Sequence, residues 1–224
     1  MPAPLTVLIP TLNAAHCLGP TLASMFDGVQ DGLIAELIFA DGGSSDDTAD
    51  LADDIGASLV TSKAGRGTQL ATAANTVKTP WLMAIHADTV LSDGWTRAVR
   101  DHVNTSQNAA YFRLAFDSAK PAARRTAAWA NLRSKLFQLP YGDQGLLLPT
   151  PLYKSVGGYG DIPLMEDVKL VRSLRGKLSQ LDATATTSAA KYDAEGYIKR
   201  GSKNLLTLSK YLMGVSPETL GKRY

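Results

Sequence analysis

The stretch "LIAELIFADGGSSDDTADLADDIGASLVT", residues 33–61, changes its pattern twice. An apolar run over 33–40 has the length of a strand between turn residues, and Asp41-Gly42-Gly43 turns the chain. Ser44 or Ser45 can cap a helix with Asp46 and Asp47 in its first turn, Leu51 and Ile55 facing inward and Gly56 as its stop. A second strand is expected over 57–61. A strand, helix and strand in this order form a crossover unit, and repetition of that unit builds a parallel sheet covered by helices.

The pattern extends both ways. Strands are expected over 5–9 and 81–86. Between the first two strands, Leu18, Leu22, Met25 and Phe26 recur at helical spacing. A third crossover, about 66–77, is rich in Ala and Thr and ends before Thr79-Pro80. The expected fold class is therefore α/β: a Rossmann-like, mostly parallel sheet flanked by helices. The second half predicts a strand over 109–117 and a helix over 124–139 with Trp129, Leu132, Leu136 and Leu139 on one side. A short strand follows "YGDQ", and the Gly- and Pro-rich loop "KSVGGYGDIP" precedes a helix marked by Leu164, Val168, Val171 and Leu174. A last helix over 194–213 carries Ile198, Leu205, Leu208 and Leu212 and stops at Gly214. The whole of 1–224 is expected to be one domain, with one half over about 1–105 and the other over about 106–224.

Composition narrows the class. With 224 residues, 45% hydrophobic and 20% charged, the chain can bury a substantial core. A net charge of +2 is too small for nucleic acid to be the main partner, so anion recognition must be local. Cys17 is the sole cysteine, which excludes an internal disulfide and a thiolate metal cluster. The N-terminus lacks a basic leader segment, and no run approaches the roughly 20 apolar residues of a spanning helix. A cytoplasmic location is expected. Oligomeric state is not encoded in any motif.

In a parallel α/β sheet, ligands bind beyond the carboxyl ends of the strands, which directs attention to "PTLN", "DGGSSDDT", "SKAGRGTQ" and "HADT". Asp41 can accept donors from a ligand or hold an Asp-Gly turn. Asn13 can meet a ligand or cap the first helix. Arg66, between two glycines at a helix entrance, suits a diphosphate, or a solvated turn. Asp88 can hold a hard divalent cation, because magnesium takes its other ligands from water and phosphates. Three roles are open to His86: a second ligand, a ribose or base contact, or a hydrogen-bonded strand end. Glu166 and Asp167 favour a helix start through the dipole, or present a carboxylate to an acceptor hydroxyl. Asp143 and Gln144 could line the same cavity from the other side.

Together, "VLIPTLNAA", "FADGGSSDDTADLA", "GRGTQL", "IHADT", "GDQ" and "GGYGDIPLMEDVKL" resemble family 2 glycosyltransferases. More narrowly, they resemble a short bacterial subgroup with "HADT" in place of the usual aspartate-x-aspartate. The resemblance implies a GT-A fold with an acceptor-side C-terminal half. It implies a nucleoside around Pro10, Thr11, Asn13 and Asp41, with His86 a candidate ribose contact. Arg66 then stands beside the diphosphate and Asp88 on Mg2+ or Mn2+. Asp167 becomes the base, supported by Glu166, with inversion at the anomeric carbon and no covalent sugar-enzyme intermediate. UDP is the commonest nucleotide of that family, and the implied acceptor is a glycan, a lipid-linked or a small-molecule hydroxyl. Lys191-Tyr192 stands where relatives often carry Arg-Trp, and the signature of processive polymer synthases is missing, so one sugar per acceptor is expected. One rival, an NAD(P)-dependent oxidoreductase with its dinucleotide fingerprint in "GRGTQL", is opposed by Leu70 at the third glycine, and a catalytically silent nucleotide-sugar binder is the other rival. The basic, apolar helices over 124–139 and 194–213 either lie at a membrane surface or pack their stripes on the core.

Overall fold

Along the first strand, Leu8 packs into one hydrophobic core while Leu5, Val7 and Ile9 pack into another. That alternation follows from the two-residue period of a strand and means that both faces of the sheet are covered. The computed structural model describes residues 3–221. Its elements are β1 (Leu5–Thr11), α1 (Ala15–Gln30), β2 (Ile34–Asp41), α2 (Thr48–Asp54), β3 (Ser58–Thr61) and α3 (Arg66–Ala74). There follow β4 (Trp81–Ala84), β5 (Thr89–Leu91), α4 (Trp95–Thr105), β6 (Ala109–Phe116), α5 (Pro121–Phe137) and β7 (Leu146–Pro149). The chain continues through α6 (Thr150–Ser155), α7 (Glu166–Ser173), β8 (Leu178–Thr187), α8 (Ala190–Glu195), α9 (Tyr197–Leu212) and α10 (Pro217–Gly221).

The eight strands form one sheet in the order β3-β2-β1-β4-β7-β6-β8-β5. β3, β2, β1 and β4 are mutually parallel, with Thr11 level with Asp41 and Leu8 level with Ala84. β7 runs antiparallel to β4 and β6, and β6 is parallel to β8. The expected α/β architecture, a mostly parallel sheet flanked by helices, is present. Its topological switch lies between β1 and β4, where the connections leave in opposite directions.

One buried amide fixes that edge. Gln69 of α3 donates from Nε2 to the carbonyls of Thr11, at 2.6 Å, and Ala40, at 2.8 Å. Its Oε1 accepts the Gly65 N–H at 3.2 Å. These bonds tie the ends of β1 and β2 to the entrance of α3, where Arg66 stands.

Several elements differ from the sequence expectations. α2 begins at Thr48, because Ser44 and Ser45 are engaged by Asp41 and Asn13 instead of capping it. Ile55, expected inside, is exposed, and Ala52 takes the inner position. In α1, Phe26 also faces out. α5 buries Ala123, Ala127, Ala130 and Ser134, leaving Trp129, Leu132 and Leu136 outside. The long terminal helix is split at Gly196 into α8 and α9, and of its expected stripe only Leu208 is buried. Among the described residues, no helix is long and apolar enough to cross a membrane.

Replacing Gln69 with Leu removes donors from two buried carbonyls, and the expected loss of stability is about 1–3 kcal/mol. A urea unfolding midpoint indistinguishable from that of the parent would contradict this role.

Candidate active site

Beyond the carboxyl ends of β1 and β4 lies a cleft of about 680 Å³. It brings together Pro10, Thr11, Asn13, Arg66, His86, Asp88, Asp143, Glu166 and Asp167, residues drawn from both halves of the chain. Asp41 and Gln144 lie outside its lining.

Asp41 ends β2 with both carboxylate oxygens engaged. Oδ1 accepts the hydroxyls of Thr11, at 2.9 Å, and Ser44, at 2.5 Å; Oδ2 accepts the N–H groups of Gly43 and Ser44, both at 2.8 Å. Burial raises its pKa, but these bonds outweigh burial and hold the carboxyl below its ordinary value. The turn is therefore built around the carboxylate. Asn13 adopts a left-handed φ of 51° and accepts the Ser45 N–H at 2.8 Å. It does not cap α1. That helix start is served from α2, where the Thr48 hydroxyl accepts the N–H groups of Ala14 and Ala15, and Asp46 accepts that of Ala15 as well.

Arg66 occupies the centre. Its Nε lies 3.3 Å from Glu166 Oε1, and its Nη1 lies 3.1 Å from His86 Nε2. A guanidinium only donates, so Nε2 must offer its lone pair and the proton belongs on Nδ1. Burial pushes His86 down to about 3, and the charges of Arg66 and Lys191 act in the same direction. His86 is thus a neutral imidazole whose cleft-facing nitrogen is already occupied. Glu166 is buried, and Oε1 lacks a well-aligned hydrogen bond. Burial and then the adjacent Asp167 raise its pKa, with Arg66 opposing.

Asp167 is held differently. Its Oδ2 accepts the Gly142 N–H at 2.8 Å, and Oδ1 accepts the Val168 N–H at 2.7 Å. Gly142 is required for close packing: a Cβ there would stand 2.9 Å from His86 Nε2. Asp143 follows it, with Oδ1 buried and unpartnered and its pKa raised to about 6, chiefly by burial. Gln144, expected on the acceptor side, is fully buried. Its amide binds Ser134 Oγ at 2.5 Å and the Phe112 carbonyl at 3.2 Å, which makes it a brace between α5 and β6. Asp88 lies beside Thr187, whose hydroxyl is 3.4 Å away.

Among the described residues, no group of three or more His, Cys, Asp or Glu side chains could hold a metal ion. The donor set at Asp88 is one carboxylate, with His86 Nε2 turned to Arg66. Such a set fits a hard cation that arrives with a diphosphate and keeps its waters; it does not fit a tightly resident metal. The cleft also contains groups without a sequence signal. The Gly142 N–H reaches Asp167 across 25 positions, and only the fold supplies that proximity. Lys191, Tyr192 and Arg200 line the cleft from the C-terminal helices. Of these, the Lys191-Tyr192 pair was visible as a departure from the family pattern.

The His86 shift has a defined pH consequence. An unfolded chain takes up this proton near 6.5, whereas the folded chain does so only near 3, so His86 contributes a loss of stability as pH falls through that window. NMR of the His86 ring should show a neutral Nδ1–H tautomer that is unchanged from pH 8 to pH 5. A titration midpoint near 6.5 would exclude the Arg66 contact.

Comparison with known proteins fits this geometry. Residues 6–147 match the model of glycosyl transferase family 2, more than half of the chain. No curated protein matches. Among solved structures, residues 1–349 of Staphylococcus aureus TarS in complex with UDP superpose with a TM-score of 0.63 at 13% identity, covering 86% of this chain and 62% of that one. The chain thus spans about three-fifths of that TarS fragment. Mycobacterium tuberculosis glucosyl-3-phosphoglycerate synthase in complex with Mn2+, UDP and glucosyl-3-phosphoglycerate superposes at 0.55 with 20% identity, covering 82% of this chain and 70% of that one. At these identities the likeness is one of fold, whereas the family match rests on the sequence itself. With its motifs gathered on one sheet edge, the chain belongs to the family 2 glycosyltransferases.

Proposed function

We propose that the protein transfers one sugar from a nucleoside diphosphate sugar, with UDP the favoured nucleotide, to an acceptor hydroxyl, with inversion at the anomeric carbon. The observation that carries this reading is the meeting of Arg66, Asp88 and Asp167 in one cleft at the switch point of the sheet. The TarS fragment complexed with UDP-GlcNAc and the glucosyl-3-phosphoglycerate synthase with UDP support the choice of nucleotide. The "HADT" sequence, with a single acid at that motif, supports assignment to the short subgroup that it resembles.

In this mechanism the nucleoside lies along Pro10, Thr11 and Asn13. Asp41 stabilises the turn beside it. The Arg66 guanidinium faces the diphosphate, with Lys191 as a second cation lining the cleft. Asp88 would hold Mg2+ or Mn2+ when the donor binds, and that cation would neutralise charge on the departing phosphate. The M. tuberculosis enzyme complexed with Mn2+ supports that assignment.

The acceptor oxygen attacks the anomeric carbon as the bond from that carbon to the phosphate oxygen breaks. Asp167 takes the acceptor proton, and the electron pair of the broken bond leaves with the nucleoside diphosphate. Two backbone N–H groups fix the Asp167 carboxylate without consuming all of its lone pairs. Glu166 supports it indirectly, by holding Arg66. The absence of any covalent intermediate follows from a single displacement. A cytoplasmic site of action agrees with the demand for nucleotide sugars, and an acceptor at the inner membrane face is compatible with the basic helices α5 and α9.

Asp167→Asn keeps the shape of the side chain and removes the base. It should lower turnover by roughly 10²–10⁴-fold, with donor binding kept. Turnover should be followed as nucleoside diphosphate release from a panel of sugar nucleotides, with Asp88→Ala as a second variant. Donor binding by the parent and both variants, with turnover in none, would favour a silent nucleotide-sugar binder.

A further inference from the structure

A second cavity, of about 530 Å³, lies between α5 and α9. Its walls include Trp129, Phe137, Leu205 and Leu212, all large apolar side chains at least half exposed or nearly so. The exposure of Trp129 and Phe137 has a local cause: α5 approaches the sheet through alanines, which leaves these two on the groove side. This groove is continuous with the cleft, because Phe116, Tyr141, Asp143, Tyr192 and Asn204 line both.

Two buried polar atoms lack hydrogen-bond partners here: Asp143 Oδ1 at the junction and Nη2 of Arg133, which lines the groove. Arg133 is held in place, with Nε donating to the Leu139 carbonyl at 3.1 Å and its guanidinium 3.4 Å above the Tyr141 ring. Buried polar atoms without partners are costly, and their concentration at the mouth of an apolar groove points to a ligand that satisfies them. Asp143 calls for a donor such as a hydroxyl. Arg133, with Arg172 and Arg175 also lining the groove, calls for an anionic group next to that hydroxyl.

We propose that the groove between α5 and α9 seats the hydrocarbon body of the acceptor, an amphipathic alcohol with an anionic group beside the hydroxyl that enters the cleft at Asp143. This rests on the transferase reading above and specifies its acceptor class. It makes Asp143 the contact for the hydroxyl in the ground state, and the hydroxyl proton goes to Asp167 during transfer.

The probe is 2-hydroxydodecanoate below its micelle concentration, with 2-hydroxybutanoate as the short homologue and calorimetry as the readout. Gly201 lines the groove, and a Cβ there meets no atom within 4 Å, so Gly201→Phe has room to enter it. Leu205→Glu on the exposed wall, which sets a like charge against the anionic probe, is a second obstruction. The long probe should bind and shift the emission of Trp129, with the shift lost in Trp129→Phe; the short homologue should bind at least tenfold more weakly. Each obstruction should weaken the long probe at least tenfold and leave UDP binding unchanged. Equal binding of both probes, or full binding by both obstructed variants, would overturn the assignment. So would flotation with anionic vesicles by parent and Gly201→Phe alike when neither binds the monomeric probe. Failure of the parent to bind any nucleoside diphosphate would sink the transferase reading, whereas the probe series reports on the groove separately.

Discussion

Arg66 is the point on which the cleft depends, because it joins a glutamate from the second half of the chain to a histidine from the first. Its position requires close approach between α3 and the loop before α7. Gly67 permits that approach: a Cβ there would lie 2.3 Å from the Gly160 carbonyl oxygen. The Thr68 hydroxyl completes the contact by donating to Asp161. Gln69 then binds the helix entrance to the ends of β1 and β2. Four successive residues, Arg66 to Gln69, thus perform four separate jobs.

The electrostatics around that guanidinium are matched in sign. His86 remains neutral and accepts from it, so the histidine cannot offer the same nitrogen to a cation. Glu166 lies beside it in a buried position that by itself disfavours ionisation, and Asp167 is held by two peptide N–H groups. Adjacent acids consequently differ in environment. One braces the cation, and the other presents a carboxylate to the cleft.

Much of this was legible in the sequence because local signals coincide there with tertiary need. The crossover over 33–61 contains an apolar run, a Gly-rich turn and a glycine stop, and the strands and helix it implies are present with shifted ends. Asp41, Arg66 and Asp88 could be located by their places after strands. Large apolar residues at helical spacing were expected to face the core in α5 and α9, but alanines give a closer approach of α5 to β6, so the bulky stripe turns outward. β8 was missed because "LSQLDATATT" is half polar and rich in Ala and Thr, and its pairing with β5 and β6 sets its structure. Gln144 carries a family motif yet serves the core, and motif membership alone cannot distinguish a side chain that lines a cleft from one that supports it.

The central claim is that the edge between β1 and β4 receives a nucleoside diphosphate at Arg66. Hydrogen–deuterium exchange with and without saturating UDP and Mn2+ tests it directly. Protection should concentrate at residues 10–14, at the start of α3 and at residues 86–88, with the outer surface of α4 unchanged. Protection confined to other segments, with these three unaffected, would contradict it.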